Sequence, residues 1–500
     1  MWDFVVAHLL QPGLGNLFAY LAAHVLLCLL PAFFIAGAMT ALIPKPTITR
    51  FLGRTTPALV AYPAAAGAGS VLAVCSCTIV PIFAGIYRKG AGLGPAITFL
   101  FFAPAANILA LVYTGSLIGP DLALARFALA LAFGIGIGVL MAAIFRADDA
   151  ERDRATDAMF QAQSTERPRR GVLAFLALWI ALLLAGTLKI DLLGATIVEF
   201  GTDAGWAPAL QSALHRLVPF DAARGEEGVS VHGAALVVLL AGVGVLAWRG
   251  IERIHDEERI GGWVRATLWL IAGTLVFAAL AVRATPGGLS VGITGRAVAV
   301  LVLAVALARQ GRATLDVEAL RDWLWESWRF VKQIFPLLAL GVFLVGIARG
   351  VIRPEWIQAV AGHNTLLGNL AGVAFGVFMY FPTLVEVPIA RLFLDLGMHR
   401  GPLLAYLMAD PELSLQSILI VSAVIGRAKT WTYVAWVAVF SVAAGLAYGA
   451  WVDGASLWRV ALAALAFVAC LVAVVRTAGR FAGRAAAGPV DSHLEKELPR

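Results

Sequence analysis

Runs of about twenty mainly apolar residues, the length at which an α-helix crosses a bilayer, recur from one end of this chain to the other. Eleven crossings are expected, at Leu17–Ile43, Pro95–Gly119, Leu122–Phe145, Gly171–Leu192, His232–Trp248, Trp263–Val282, Arg296–Arg309, Phe330–Gly350, Gly401–Gly426, Thr430–Ala450 and Leu457–Val475. His232–Trp248 and Arg296–Arg309 are short for full spans and require tilt or local thinning of the bilayer. Of the 500 residues 60% are hydrophobic and 14% charged, against about 25% charged in soluble domains. The apolar runs therefore cannot be the core of an ordinary soluble protein. The net charge of +7 is spread over short stretches between apolar runs, which orients spans and excludes a nucleic-acid-binding face. Four cysteines in apolar settings are too few for a secreted disulfide framework. The amino terminus lacks a basic n-region and a small-residue cleavage site and reads as mature sequence.

Two further apolar stretches, 57–90 and 365–397, are too long for one crossing and too broken for two. Non-helical backbone survives at membrane depth only where protein or a water-lined cavity satisfies it, so both are expected to be re-entrant hairpins with tips near the midplane. The fold class expected is an all-α polytopic membrane protein. Arg88 and Lys89, the segments 146–170, 249–259, 309–329 and 476–484, and Arg427 with Lys429 fall on one side of this map. By the positive-inside rule that side is cytoplasmic. The amino terminus and the acidic loop 194–231 are then outside, and the carboxy terminus is inside. This is the layout of a multi-pass protein of the cell (inner) membrane.

Sliding the sequence by 307 positions superposes the two hairpin regions without a gap. Gly69 falls on Gly376, Val80-Pro81-Ile82 on Val387-Pro388-Ile389, Gly90 on Gly397, and Gly94-Pro95 on Gly401-Pro402. Leu100 then meets Leu407, Pro104 meets Pro411, and Ile118-Gly119 meets Ile425-Gly426. Most matches are backbone-shaping residues, so what repeats is a path of the chain. An odd number of crossings, seven on this map, separates the two copies. They are therefore expected to be inserted with opposite topology, as in carriers whose substrate sits between repeats at the midplane.

Cys75-Ser76-Cys77, the stretch Pro81 to Pro95, Ala103-Pro104 and Glu386-Val387-Pro388 resemble the ArsP-type family of predicted permeases. The resemblance covers about residues 17–145 and 330–450 and leaves the middle of the chain unmarked. It implies a multi-spanning permease, with characterised relatives associated with export of trivalent organoarsenicals. The domain map that follows is a first permease repeat 1–145 with hairpin 57–90, a cytoplasmic linker 146–170, and inserted spans 171–327 with the extracytoplasmic loop 194–231. A second permease repeat 328–475 with hairpin 365–397 and a cytoplasmic tail 476–500 complete it.

Cys75 and Cys77 stand two apart at the first hairpin tip, and thiolates are soft ligands for thiophilic centres. The competing reading is packing, since cysteine is among the most buried residue types. Cys28 would add a third sulfur if the first span faces the cavity, whereas Cys470 reads as packing. Ser76, Thr78, Asn107, Thr383, Glu386 and Ser414 complete the substrate-binding set. Pro81 and Pro388 suit the first position of a restarting helix, whose free N–H groups favour an anion or a polarised oxygen. Pro104 and Pro411 break the following spans and free carbonyls beside Asn107 and Ser414, unless they are plain proline kinks.

Glu386, Asp410 and Glu412 belong to the second copy alone, and a carboxylate inside a membrane marks a substrate, ion or proton pathway by default. All three are expected to serve proton coupling, Glu386 foremost, with helix capping as the plain reading of Asp410 and Glu412. Arg391 and Asp395, i and i+4, are expected to pair. No phosphate-binding loop, metal set or cofactor motif occurs, which points to a secondary carrier rather than an enzyme. Its partners are a small-molecule substrate and the lipid bilayer; a homo-oligomer is compatible with them, and nucleic acid is not. Alternatives are a permease for another small anion or sulfur compound, and a membrane-embedded thiol-disulfide enzyme using Cys75 and Cys77. A two-residue separation strains a disulfide between them.

Overall fold

A computed structural model describes residues 10–23, 25–71, 76–106, 108–152, 170–187, 191–218, 228–255, 260–351, 355–378, 383–456, 458–463, 465–467 and 469. Among these, seven helices are long and apolar enough to cross a membrane, or up to nine if each of two bent helix pairs is one span. The chain is thus a helical multi-pass membrane protein. All nine coincide with expected crossings. The other two expected crossings appear as shorter helices, Gly262–Ala278 and Trp458–Phe467. Trp263–Val282 is cut short because the chain enters a strand at Ala281.

The first stretch contains α1 (Gln11–Ala23), a π-helical turn Val25–Leu29, α2 (Leu30–Ala41), α3 (Lys45–Leu52), α4 (Ala58–Val71) and α5 (Ser76–Arg88). After these come α6 (Leu93–Ala105), α7 (Ile108–Leu117) and α8 (Pro120–Ile144). A bend of 51° at the π-helical turn separates α1 from α2. The middle stretch holds α9 (Arg170–Thr187), α10 (Asp191–Gly194), β1 (Thr196–Thr202), α11 (Trp206–Leu217), α12 (Val231–Gly250), α13 (Gly262–Ala278), β2 (Ala281–Thr285), β3 (Gly288–Thr294) and α14 (Gly295–Thr314). The two spans that read as short are each 20-residue helices. Each starts one residue before its expected crossing, where a hydroxyl caps it: Ser230 Oγ accepts from Gly233 N at 3.0 Å and Thr294 Oγ1 from Ala297 N at 3.1 Å. They run two and five residues past the expected ends, to Gly250 and Thr314.

The segment 194–231, expected as a loop, instead contributes β1 and α11. Its strand pairs with residues almost a hundred positions later, in an antiparallel sheet of order β1-β3-β2. Phe200 stands opposite Val291, which in turn stands opposite Val282. Small residues Gly288, Ser290, Gly292 and Thr294 form the buried side of β3, and α11 packs on β2 and β3.

The last stretch begins with α15 (Val317–Val351), a 35-residue helix that runs unbroken past position 327. Next come α16 (Glu355–Ala361), α17 (Leu366–Phe378), α18 (Thr383–Asp395), α19 (Arg400–Leu413), α20 (Leu415–Ile425) and α21 (Arg427–Val452). Helices α19 and α20 meet at a bend of 46°.

Contacts recur at the spacing of 307 residues. A Cβ on Gly69 would lie 3.2 Å from Ala103 N, and one on Gly376 2.8 Å from Asp410 N. Likewise a Cβ on Gly138 would lie 2.7 Å from Gly94 O, and one on Gly445 2.7 Å from Gly401 O. Small residues are what let membrane helices approach so closely. The turns that follow α5 and α18 both use a left-handed glycine, Gly90 at φ 97° and Gly397 at φ 90°, a conformation in which a Cβ would clash. Helix α5 packs on α20 and α18 on α7, so each of these helices also touches the other stretch.

Pro81 and Pro388 do not start their helices. Each is the sixth residue of its helix, because the chain becomes helical at Ser76 and Thr383. A proline there costs one backbone bond beyond the first turn, a break that neighbouring helices accommodate. Pro104 and Pro411 likewise lie inside α6 and α19, and the helices end at Ala105 and Leu413.

Lys89, one of the basic residues used to orient the chain, is fully buried, with its ammonium donating to Thr40 O. Burial pushes that ammonium down to about 8, with Glu326 pulling the other way. Beside it Arg88 lies 4.4 Å over the Phe330 ring and donates to Gln333. The turn after α5 is therefore packed on α2 and α15.

Candidate functional site

The apolar helix α8 carries one charge in its interior, Arg126, on its seventh residue. That guanidinium is completely buried and lies 2.8 Å from the equally buried Glu386 carboxylate of α18. The pair joins segments 260 positions apart and ties the first stretch of the chain to the last. Arg126 also bonds elsewhere: Nε donates to Ala105 O at 3.0 Å and Nη1 to Thr114 Oγ1 at 3.3 Å. Ala105 is the last residue of α6, so its carbonyl lacks a helical partner. The guanidinium satisfies the carbonyl that this helix break exposes.

At the corresponding break, Ser414 ends α19 and caps α20, accepting from Ser417 N at 3.3 Å and donating to Ser417 Oγ at 2.7 Å. Glu412 is buried just before it and accepts from Tyr433 Oη at 2.8 Å. Tyr433 lies 307 positions after Arg126, and Glu412 lies 307 after Ala105. Matched positions therefore make matched contacts with different chemistry: a guanidinium on a carbonyl in one case, a phenol on a carboxylate in the other. Glu412 lies within electrostatic reach of both Glu386 and Arg126, so the two pairs form one buried polar cluster.

Glu386 and Glu412 are thus brought together. Asp410 is buried on the same helix as Glu412, where neither caps a helix end. Thr78 is buried on α5 beside Cys28 of the π-helical turn, the two joined by a side-chain hydrogen bond. Cys28 thus contacts a residue next to Cys77, although it points to a hydroxyl. Cys75, Asn107 and Cys470 lie outside the described residues, as do the side chains of Ser76, Cys77 and Thr383. Arg391 and Asp395 pair at 3.0 Å on an exposed limb of α18.

Arg126 and Tyr433 were not expected from the sequence. Arg126 had a signal, a lone ionisable residue in an apolar span, and Tyr433 was reachable only through the 307-residue spacing. A second cross-chain cluster joins Asp121 at the start of α8 to Arg400 Nη1 at 2.7 Å and to Tyr448 Oη at 2.7 Å. Lys429 and Asp148 approach to 3.6 Å. Among the described residues no group of three or more histidine, cysteine or acidic side chains has metal-holding geometry.

Residues 12–450 match the ArsP family model, described as a predicted permease. The UPF0718 protein MJ0584 of Methanocaldococcus jannaschii is 30% identical over 444 residues, 89% of this chain and 97% of that protein. The UPF0718 protein YraQ of Escherichia coli is 31% identical over 123 residues, 25% of this chain and 35% of that protein. No solved structure matches the chain. This chain belongs to the ArsP predicted-permease family.

Proposed function

We propose that this family member is a secondary permease that exports a small solute across the cell (inner) membrane. The solute class best suited to its residues is a thiophilic trivalent organoarsenical, taken by Cys75 and Cys77 at a midplane site between two oppositely inserted repeats, 1–145 and 328–475. Ser76, Thr78, Asn107, Thr383, Glu386 and Ser414 surround that site in this reading. Export is coupled to protons through the buried carboxylates of the second repeat, for which Glu386, Asp410 and Glu412 are the candidates. The amino terminus is outside and the carboxy terminus cytoplasmic, with the first hairpin entering from the cytoplasm and the second from outside. Spans 171–327 are an insertion between the repeats.

The observation that carries the reading is the Arg126–Glu386 pair, fully buried at 2.8 Å between the two stretches. Charges inside a bilayer are costly and mark pathways for substrates, ions or protons. The recurrence of close contacts at 307 residues supports a common path for both stretches, and carriers built on inverted repeats bind between them.

Everted membrane vesicles supplied with phenylarsine oxide test the function. Accumulation should exceed that of vesicles lacking the protein, should rise with an imposed inward-acid pH gradient, and should fall with Cys75→Ser or Cys77→Ser. Accumulation equal to that of empty vesicles would remove the arsenical. A growth screen against antimony and other toxic solutes would then find the substrate.

A further inference from the structure

The cluster described above contains more acid than base. Glu386 and Glu412 are both buried and within electrostatic reach of each other, and among the described residues Arg126 is the cation that reaches them. A guanidinium stays charged in proteins, and this one directs its remaining nitrogens to Ala105 O and Thr114. Its contact with Glu386 is a direct ion pair at 2.8 Å. Among the described residues Glu412 has no such contact: the donor to it is the neutral Tyr433 hydroxyl, on Oε2. Its other oxygen, Oε1, is buried with no hydrogen-bond partner among the described residues, as is Oε2 of Glu386.

One cation cannot neutralise two carboxylates. The geometry decides where the shortfall lies, because the cation touches Glu386 and a neutral hydroxyl touches Glu412. An ionised carboxylate buried without a counter-charge is expensive, so Glu412 is the group that needs a proton while the cluster is closed. The ionisable groups facing it are Tyr433 on α21, Arg126 on α8 and Glu386 on α18. Asp410 stands two residues earlier on the same helix, about 200° round it at about 3.6 residues per turn.

We propose that Glu412 carries the coupling proton, with the Arg126–Glu386 pair remaining ionised as the fixed tie between the two stretches. The step is an acid dissociation. Glu412 releases its proton to water when a cavity reaches the cluster, and the Tyr433 hydroxyl, already bonded to Oε2, steadies the carboxylate left behind. The inference rests on the reading of the chain as a proton-coupled permease, and within that reading it removes Glu386 from the coupling role.

Infrared difference spectroscopy against pH, on the purified protein in lipid bilayers, tests this without a substrate. The wild type should show a protonated-carboxyl C=O band that disappears as pH rises. Glu412→Gln should abolish the band. It should persist in Arg126→Met/Glu386→Gln, which removes cation and counter-ion together, whereas Glu386→Gln alone frees Arg126 for Glu412 and should move the loss of the band to lower pH. Tyr433→Phe should move the band to higher frequency, because the carbonyl loses a hydrogen-bond donor. A band that survives Glu412→Gln, or no such band in the wild type, overturns the inference. Parallel phenylarsine oxide flux in vesicles separates the two readings. A band that follows Glu412 without pH-driven flux overturns the permease reading on which this rests. With pH-driven flux and no Glu412 band, only the present inference falls.

Discussion

Removing Arg126 should unbalance the centre of the protein, and the geometry sets the size of the effect. At 2.8 Å and an effective dielectric of about 20, two unit charges attract by about 6 kcal/mol. Desolvation of both groups offsets much of this, so the net worth of the pair against an apolar replacement is small, whereas breaking one side of a buried pair costs about 3–5 kcal/mol. Arg126→Met should fall in that range, because it strands the Glu386 carboxylate and also leaves Ala105 O without its donor. Glu386→Gln should cost a comparable amount by stranding the guanidinium. The double variant Arg126→Met/Glu386→Gln should recover at least about 2 kcal/mol relative to the sum of the singles, since contacting residues couple by about 0.5–3 kcal/mol. The assay is reversible unfolding in mixed detergent micelles, followed by tryptophan fluorescence for all four corners of the cycle. Additive losses would refute the argument, because they would mean that the two charges do not depend on each other.

Three further outcomes follow from particular contacts. Gly445→Val should cost about 1–3 kcal/mol, the range for overpacking, because its Cβ would meet the Gly401 carbonyl at 2.7 Å and Ala405 Cβ at 2.9 Å; Gly244→Ala, with nothing within 4 Å, should leave the melting temperature unchanged. Burial holds Lys89 at about 8 instead of 10.5, so the unfolded chain binds that proton more tightly and stability rises with pH through this window. Lys89→Met should flatten the rise in melting temperature above pH 8, and an unchanged slope would show that another group causes it. Cys75→Ser and Cys77→Ser should each abolish resistance to a trivalent arsenical at normal protein levels while Cys470→Ser stays silent, and full resistance in the Cys75/Cys77 double variant would return the pair to packing.

The sequence carried most of the helical layout, since spans are written as local apolar runs. Where it misjudged extent, the helix ran on past the apolar run, to Gly250 and Thr314, and a hydroxyl capped its start one residue early, at Ser230 and Thr294. The sheet was hidden because β1 is stabilised by β3, almost a hundred residues away, and no local pattern announces such a partner. Spacing alone located the prolines of the broken helices, but not the residues at which those helices start. Glu386 and Glu412 were legible as costly charges in apolar surroundings. Their partners were not, because Arg126 and Tyr433 sit in helices whose facing direction depends on tertiary packing. The 307-residue spacing held the missing information: once Arg126 is seen to serve the break after Ala105, Tyr433 and Glu412 are the matched positions in the other stretch.

The most direct test of the account is the side from which each hairpin is reached. Gly90 and Gly397 themselves cannot carry reporters without strain, since both have positive φ. Thr55, just before α4, and Asp395, at the end of α18, are exposed and suit single cysteines in a cysteine-free variant. Loss of the exposed Arg391–Asp395 pair in the second costs about 1 kcal/mol or less. A membrane-impermeant maleimide applied to intact cells should label Asp395→Cys and spare Thr55→Cys, and the pattern should reverse in everted vesicles. Labelling of both positions from the same face would contradict two oppositely inserted repeats, and with them the substrate site proposed between the halves.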